Sequence, residues 1–344
     1  MLHNRVNTDH LRAAAREARE PRTTLSFYRY VRIDDAAGFR DRLYRRLDEL
    51  GVLGRIYVAP EGINAQASVP SAHLEALKTY LDGLPGLADL RLNLAIEDDD
   101  ASFYKLIVKV RDKIVADGLD DGSFDPGAGG EHLDAAGFNE WAAHPDAVVV
   151  DMRNHYESEV GHFEGALRPA VDTFRESLPI VEELLAGKED APVLMYCTGG
   201  IRCEKASAWF RHRGFERVFQ LDGGIINYAR QVEARGLENR FRGKNFVFDE
   251  RLGETISEEV ISQCHQCGQP CDTHVNCAND ACHLLFLQCA ACAKTFRDAC
   301  SHTCAEVAAL PREERRARAK TETYNGQRYP NAHYRAEMGE LVVD

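Results

Sequence analysis

The residues best placed to do chemistry lie in one run, Val193-Leu194-Met195-Tyr196-Cys197-Thr198-Gly199-Gly200-Ile201-Arg202-Cys203. Four apolar residues lead into a cysteine, paired glycines follow, and a helical pattern continues from Glu204 to His212. A strand–loop–helix unit of this kind turns successive backbone N–H groups inward, and such a concavity at a helix N-terminus favours negative charge. The anion it would hold is a thiolate, or a persulfide, on Cys197, whose pKa should fall below that of a free cysteine. Arg202 adds a positive charge that is not lost at neutral pH. Gly199 and Gly200 allow close backbone approach, and Thr198 and Ile201 complete the loop. Cys203 reads either as a resolving thiol for an oxidised Cys197 or, preferably, as a small residue in the first helical turn. The competing reading of Cys197 is a buried core thiol, which a Gly-Gly loop argues against.

A second group of reactive residues is the cysteines themselves. Nine of the eleven fall between Cys264 and Cys304, as Cys264-x2-Cys267, Cys277-x4-Cys282, Cys289-x2-Cys292 and Cys300-x3-Cys304, with Cys271 left over. A tight turn lets two thiolates converge on one ion, and two such turns complete a tetrahedron, so the four pairs would fill two structural zinc sites. Sequential and interleaved pairings both fit, with His265, His274, His283 and His302 as substitute ligands. The competing reading is reduced or disulfide-linked thiols packed on the preceding domain, and an iron–sulfur role is a lesser one. This distribution does not resemble a secreted disulfide framework and fits a reducing cytoplasm.

The elements that must position these residues divide the chain into a polar leader (1–24), an α+β domain (25–115), a Gly- and Asp-rich linker (116–134), a domain of alternating strands and helices (135–240), a cysteine-rich segment (241–310) and a polar, partly basic tail (311–344). In the first domain the expected order is a strand over Leu25–Val31, a helix near Ala36–Leu50, strands at Arg55–Ala59 and Ile63–Val69, and a helix near Ala72–Leu81. Strands over Leu90–Ile96 and Phe103–Val110 follow. The order β-α-β-β-α-β plus one strand is that of a ferredoxin-like, acylphosphatase-like sandwich. If Leu90, Leu92, Leu94, Tyr104, Leu106 and Val108 face the helices, then Arg91, Asn93, Lys105, Lys109 and Arg111 form a face for RNA phosphates or simply a solvated one. In the second domain the apolar runs Ala147–Val150, Val193–Tyr196 and Val218–Leu221 imply a parallel sheet covered by helices.

The net charge is −13, which argues against a uniformly basic nucleic-acid binder but leaves room for local basic surface. Arg202, Lys205, Arg211, Arg213 and Arg217 gather after the catalytic loop, and Pro311–Lys320 is basic, although that tail reads best as a solvated helix face. No apolar run is long enough to span a bilayer, and the first twenty residues lack the apolar core of a secretory signal.

Cys-x-x-Gly-x-Arg after an apolar strand, then a helix and Asp222-Gly223-Gly224, resembles the rhodanese active-site loop. Asp151-Met152-Arg153 and Gly161-His162-Phe163-Glu164-Gly165-Ala166 match that family's upstream segments. The resemblance implies a multidomain α+β and α/β chain whose rhodanese domain uses Cys197 as a persulfide-forming nucleophile. It also implies that Asp151, Arg153 and His162 are structural supports. Tyr196-Cys197-Thr198-Gly199-Gly200-Ile201-Arg202-Cys203-Glu204-Lys205-Ala206, with a ferredoxin-like domain before it and the cysteine-rich segment after it, is similar to the bacterial rhodanese-like tRNA uridine hydroxylases. That resemblance covers roughly residues 24–330. It implies O2-dependent formation of 5-hydroxyuridine at the tRNA wobble position, contact with the anticodon region, no membrane or DNA partner, and a cytoplasmic enzyme. No Gly-x-Gly-x-x-Gly follows a strand and no triad of two His and a carboxylate stands out, so the electron donor is not legible. A peroxidic or sulfenic species on Cys197 is one route to the chemistry. Two other readings stand beside it: a sulfurtransferase working through a Cys197 persulfide, and a zinc-dependent RNA-binding module with a vestigial rhodanese domain.

Overall fold

The computed structural model describes residues 20–97, 102–119, 124–339 and 341–344. Most of the expected polar leader lies outside them. The chain forms two compact units, one of residues up to Arg153 with Phe174–Asn239 and Val247–Arg251, the other of Asn154–Thr173, Arg240–Phe246 and Leu252–Asp344.

The first unit begins with β1 (Arg22–Tyr30), α1 (Ala36–Glu49), β2 (Leu53–Ala59), β3 (Gly62–Pro70), α2 (Leu74–Asp82), β4 (Asn93–Leu94) and β5 (Leu106–Val110). The sheet order is β4-β1-β3-β2-β5. β1–β3, β2–β3 and β1–β4 are antiparallel and β2–β5 is parallel. This is the acylphosphatase-like sandwich with its additional strand. Strand alternation explains it: Leu25, Phe27, Ile56, Val58, Ile63, Ala65, Ala67 and Val69 point to one face and bury against Leu43, Leu47, Leu77 and Leu81 of the helices. Asp35 caps α1 by accepting from the Gly38 amide. Only Asn93–Leu94 and Leu106–Val110 of the two longer expected strands join the ladder, yet Leu90, Leu92 and Leu94 still pack on the core. Burial of a leucine stripe does not require paired backbone.

The same unit continues with β6 (Glu131–Leu133), α3 (Ala135–Ala142), β7 (Val148–Asp151), α4 (Phe174–Leu184), β8 (Val193–Tyr196), α5 (Ile201–His212), β9 (Val218–Leu221) and α6 (Gly224–Arg235). The sheet order is β6-β9-β8-β7, all parallel. β8 and β9 are buried along their whole length, as expected for apolar runs covered on both faces. β6 falls within the stretch read as linker. It is three residues long, too short to show a period.

Lys205 of α5 is fully buried. Its Nζ donates to Asp117 Oδ2 at 2.6 Å, Glu61 Oε1 at 2.9 Å and the Val115 carbonyl at 3.1 Å. The expected basic cluster after the loop is therefore largely committed to internal bonds. Arg211 donates to the Ala128 and Gly129 carbonyls, Arg213 pairs with Glu182 at 2.7 Å, and Arg217 lies over the Trp141 ring. Spacing showed these cations sharing a helix region but not the acids and carbonyls folded against them.

The second unit contains the antiparallel strands Gly161–Phe163, Phe241–Asn245 and Glu254–Thr255 and the hairpin His274–Asn276 with Leu285–Leu287. Its later helices are Ala290–Phe296, His302–Ala308 and Arg312–Arg318. Leu284, Phe286 and Val307 form a small core with cysteines. The stretch read as a polar tail adds Tyr324, Tyr329, Tyr334 and Leu341 to that core. Widely spaced aromatics in a charged sequence carry no period and escape pattern reading. Among the described residues, no helix is long and apolar enough to cross a membrane.

Replacing Lys205 by Ala leaves the buried Asp117 carboxylate short of a partner, with Lys113 still 2.6 Å away. The variant should lose about 3 kcal/mol of stability, read from the denaturant midpoint. A wild-type midpoint would show that the buried cluster is energetically neutral.

Candidate functional site

Cys197 follows directly on β8 and its backbone is held on both sides. Tyr196 donates its hydroxyl to Asp151 Oδ2 at 2.6 Å. Arg153 grips the same carboxylate through Nε at 2.9 Å and Nη2 at 2.6 Å, and its guanidinium lies over the Tyr196 ring. All three side chains are fully buried. From the other side, the Ile225 and Ile226 amides at the start of α6 donate to the carbonyls of Cys197 and Thr198 at 3.0 and 3.2 Å. This close approach needs glycine at 224, whose φ is +67°, because a Cβ there would sit 2.5 Å from the Cys197 oxygen.

The sulfur itself is fully buried, but its surroundings are polar. The Gly200 amide donates to Sγ at 3.2 Å, and the Cys203 thiol, the Arg202 charge and the Cys203 and Arg202 amides all favour its anionic form. Gly200 is the N-cap of α5 and Arg202 and Cys203 lie in its first turn, where the helix's own carbonyl ladder does not use the N–H groups. Arg202 is held nearby, with Nη2 3.4 Å from Thr198 Oγ1 and its guanidinium over the Phe248 ring. Burial opposes the thiolate. The Cys203 thiol, the Arg202 charge and the two amides outweigh it and bring the Cys197 pKa down to about 6. Burial and then the neighbouring Cys197 push Cys203 well up, so it remains a thiol and a donor.

The polar face of the first sheet also reaches this loop. Asn93 Nδ2 donates to the Gly199 carbonyl at 3.3 Å, Tyr30 donates to the Ile201 carbonyl at 3.2 Å, and Tyr28 donates to Glu204 Oε1 at 3.1 Å. Gly200 has φ +102°, and a Cβ there would lie 2.7 Å from the Tyr28 hydroxyl. Arg91 holds Asp222 in a bidentate pair at 2.5 and 2.6 Å. His132 lies 3.2 Å from Asp222 and 3.4 Å from Glu204, and its bonds to these two carboxylates raise its pKa to about 9. Of the residues expected to form either an RNA-phosphate face or a solvated one, Arg91 and Asn93 are bonded to residues of the loop and its Asp-Gly-Gly turn, Asn93 buried and Arg91 half exposed. Lys109 and Arg111 of that set remain exposed. Strand alternation puts Ser26, Tyr28 and Tyr30 on one face of β1, and a period of two does not say what that face meets.

His162 lies in the second unit, with Nδ1 2.9 Å from the Ser158 carbonyl and 3.3 Å from Arg168. The cysteine pairs of that unit resolve into two sets, Cys264, Cys267, Cys289 and Cys292, and Cys277, Cys282, Cys300 and Cys304. Within each set the sulfurs all lie within 4.8 Å of one another. The pairing is interleaved along the chain. Sulfur also accepts from nearby N–H groups: Cys264 from the Cys289 amide at 3.3 Å, Cys277 from the Cys300 amide at 3.4 Å, Cys282 from the Gly326 amide at 3.2 Å and Cys300 from Asn325 Nδ2 at 3.3 Å. Converging sulfurs that accept N–H bonds are a donor set able to hold a metal ion. Cys271, His265, His274, His283 and His302 belong to neither set.

Because the thiolate is the reactive form, alkylation of Cys197 should rise with pH, half-maximal near pH 6, and then level off. Arg202→Ala should move the midpoint up by about one unit. Site-resolved mass spectrometry of an iodoacetamide-treated pH series measures both, and a midpoint at the ordinary thiol value would refute the cradle.

Residues 22–114 match the family described as the UPF0176 acylphosphatase like domain, 134–231 the rhodanese-like domain and 242–305 the rhodanase C-terminal family. The chain is 56% identical over 319 residues to the tRNA uridine(34) hydroxylase of Cronobacter sakazakii, covering 92% of this chain and 91% of that one. It is 57% identical over 312 residues to the enzyme of the same name from Salmonella newport, covering 90% and 89%. Identity at this level over about nine-tenths of both chains shows that the chain belongs to the tRNA uridine(34) hydroxylase family.

Proposed function

We propose that this protein hydroxylates the wobble uridine of tRNA to 5-hydroxyuridine, with O2 as co-substrate and Cys197 as the reacting side chain. The observation that carries the role of Cys197 is its sulfur, which accepts from the Gly200 amide and whose anion is favoured by the Cys203 thiol, the Arg202 charge and the Cys203 and Arg202 amides. Such a sulfur is a competent nucleophile and an oxidisable centre. Insertion of one oxygen atom at C5 with release of the other as water consumes two electrons and two protons, which the reaction must draw from a donor. Thr198, Gly199, Gly200 and Ile201 shape the loop, while Asp151 and Arg153 fix the end of β8 through Tyr196. The anticodon region supplies splayed bases and dense phosphate charge, for which exposed cations such as Lys109 and Arg111 are suited contacts. From a tRNA substrate we infer a cytoplasmic enzyme.

In cells carrying Cys197→Ser as the sole copy, mass spectrometry of tRNA nucleosides should show 5-hydroxyuridine and its derivatives reduced at least about a hundredfold. Undiminished 5-hydroxyuridine would exclude the proposed role. Loss of thiolated uridine instead would favour sulfur transfer through a Cys197 persulfide, which the same cradle would hold.

We further propose that the two cysteine sets bind structural zinc. Each offers four sulfurs, the donor number of a closed tetrahedral site. The ion supplies folding energy to a segment with few apolar residues and takes no part in the reaction. Metal analysis of purified protein should find about two equivalents of zinc per chain, with Cys264→Ser and Cys277→Ser each losing one. Less than one equivalent in the wild type would overturn this assignment.

A further inference from the structure

The peptide groups around the Cys197 sulfur have a second end. The Gly200 N–H, which donates to Sγ at 3.2 Å, shares its peptide with the Gly199 carbonyl, and that carbonyl accepts from Asn93 Nδ2 at 3.3 Å. The Arg202 N–H, which favours the anionic form of the sulfur, shares its peptide with the Ile201 carbonyl, and that carbonyl accepts from the Tyr30 hydroxyl at 3.2 Å. A donor at the oxygen of an amide polarises the group and strengthens what its N–H gives, because chained hydrogen bonds reinforce one another in a low dielectric. The two donors sit on neighbouring strands, Tyr30 on β1 and Asn93 on β4. Asn93 is buried. Burial, followed by the charge of Glu61, pushes the Tyr30 hydroxyl well above its usual range, so it stays protonated and able to donate.

We propose that Asn93 and Tyr30 are positioning residues for Cys197, strengthening amide donation to its sulfur through the Gly199–Gly200 and Ile201–Arg202 peptide groups. The N-terminal domain thus tunes the reacting group as well as packing beside it. This rests on Cys197 being the reacting side chain. Other groups also face the site. Arg202 and Cys203 of α5 act directly on the sulfur, and Tyr28 of β1 lies close by with Glu204 beyond it. Tyr30 is itself faced by Lys205, Glu61 and Asp117. Tyr30→Phe and Asn93→Ala leave all of these in place, so a change in the sulfur can be assigned to the lost carbonyl bond.

The test uses the full chain and site-resolved alkylation of Cys197 across pH, with thermal unfolding run in parallel. Each single variant should raise the midpoint by about half a pH unit, and the double variant by more, from a loss of roughly 10–30% of a charge-assisted bond. Hydroxylation of tRNA should fall below the new midpoint and recover above it. A folded Tyr30→Phe protein with the wild-type midpoint overturns the proposal, whatever its melting temperature, since a role in packing alone would lower stability and leave the midpoint in place. If Asn93→Ala does not fold, Tyr30→Phe decides by itself, because it removes a single oxygen. Retained 5-hydroxyuridine in Cys197→Ser would defeat the functional proposal but leave this alkylation result standing, so the two failures are separable.

Discussion

A buried anionic sulfur is unfavourable unless donors replace its hydration. At Cys197 that replacement comes from main-chain N–H groups that the helix geometry leaves unpaired. The first turn of α5 has amides with no carbonyl to meet, and the loop curls so that a sulfur meets them. One arrangement therefore satisfies two needs, the helix's spare donors and the thiolate's missing water. Much of the first unit can be understood as support for it: Asp151, Arg153 and Tyr196 fix the strand that delivers the sulfur, and the Ile225 and Ile226 amides fix the carbonyls behind it.

The sandwich in front of the parallel sheet is tied to the same loop. Its hydrophobic face builds an ordinary core, while its polar face supplies Tyr28, Tyr30, Arg91 and Asn93 to the loop, the α5 residue Glu204 and the turn at Asp222. Lys205 joins the two layers in the opposite sense, a cation of α5 neutralised by Glu61 of the sandwich and Asp117 of the connecting stretch. A buried charge of this kind is poor evidence of added stability, since desolvation offsets much of the attraction.

The second unit meets a different constraint. Its cysteine-rich part has few large apolar side chains, and the ones it has are spread between a hairpin and the aromatic residues near the C-terminus. Two interleaved sets of four sulfurs bring distant parts of the segment together, which contiguous pairs could not do. Interleaving links the turn at Cys264–Cys267 to that at Cys289–Cys292, and Cys277–Cys282 to Cys300–Cys304, so each set spans chain that carries part of the other.

How much of this was legible beforehand differs by scale. Local features were readable along the chain: alternation in the strands, an apolar run ending in a cysteine, glycines where backbone must come close, and cysteine pairs spaced for a tight turn. These follow from periods of a few residues and from short-range sterics, which one chain displays in order. Tertiary structure alone decided which cysteine pairs combine, that Arg91 and Asn93 turn to the catalytic loop, that Lys205 is buried between acids, and that Tyr30 meets the carbonyl of Ile201. Each of these joins residues far apart in the chain, and their pairing is set by how whole layers pack, a relation with no period for a sequence to carry.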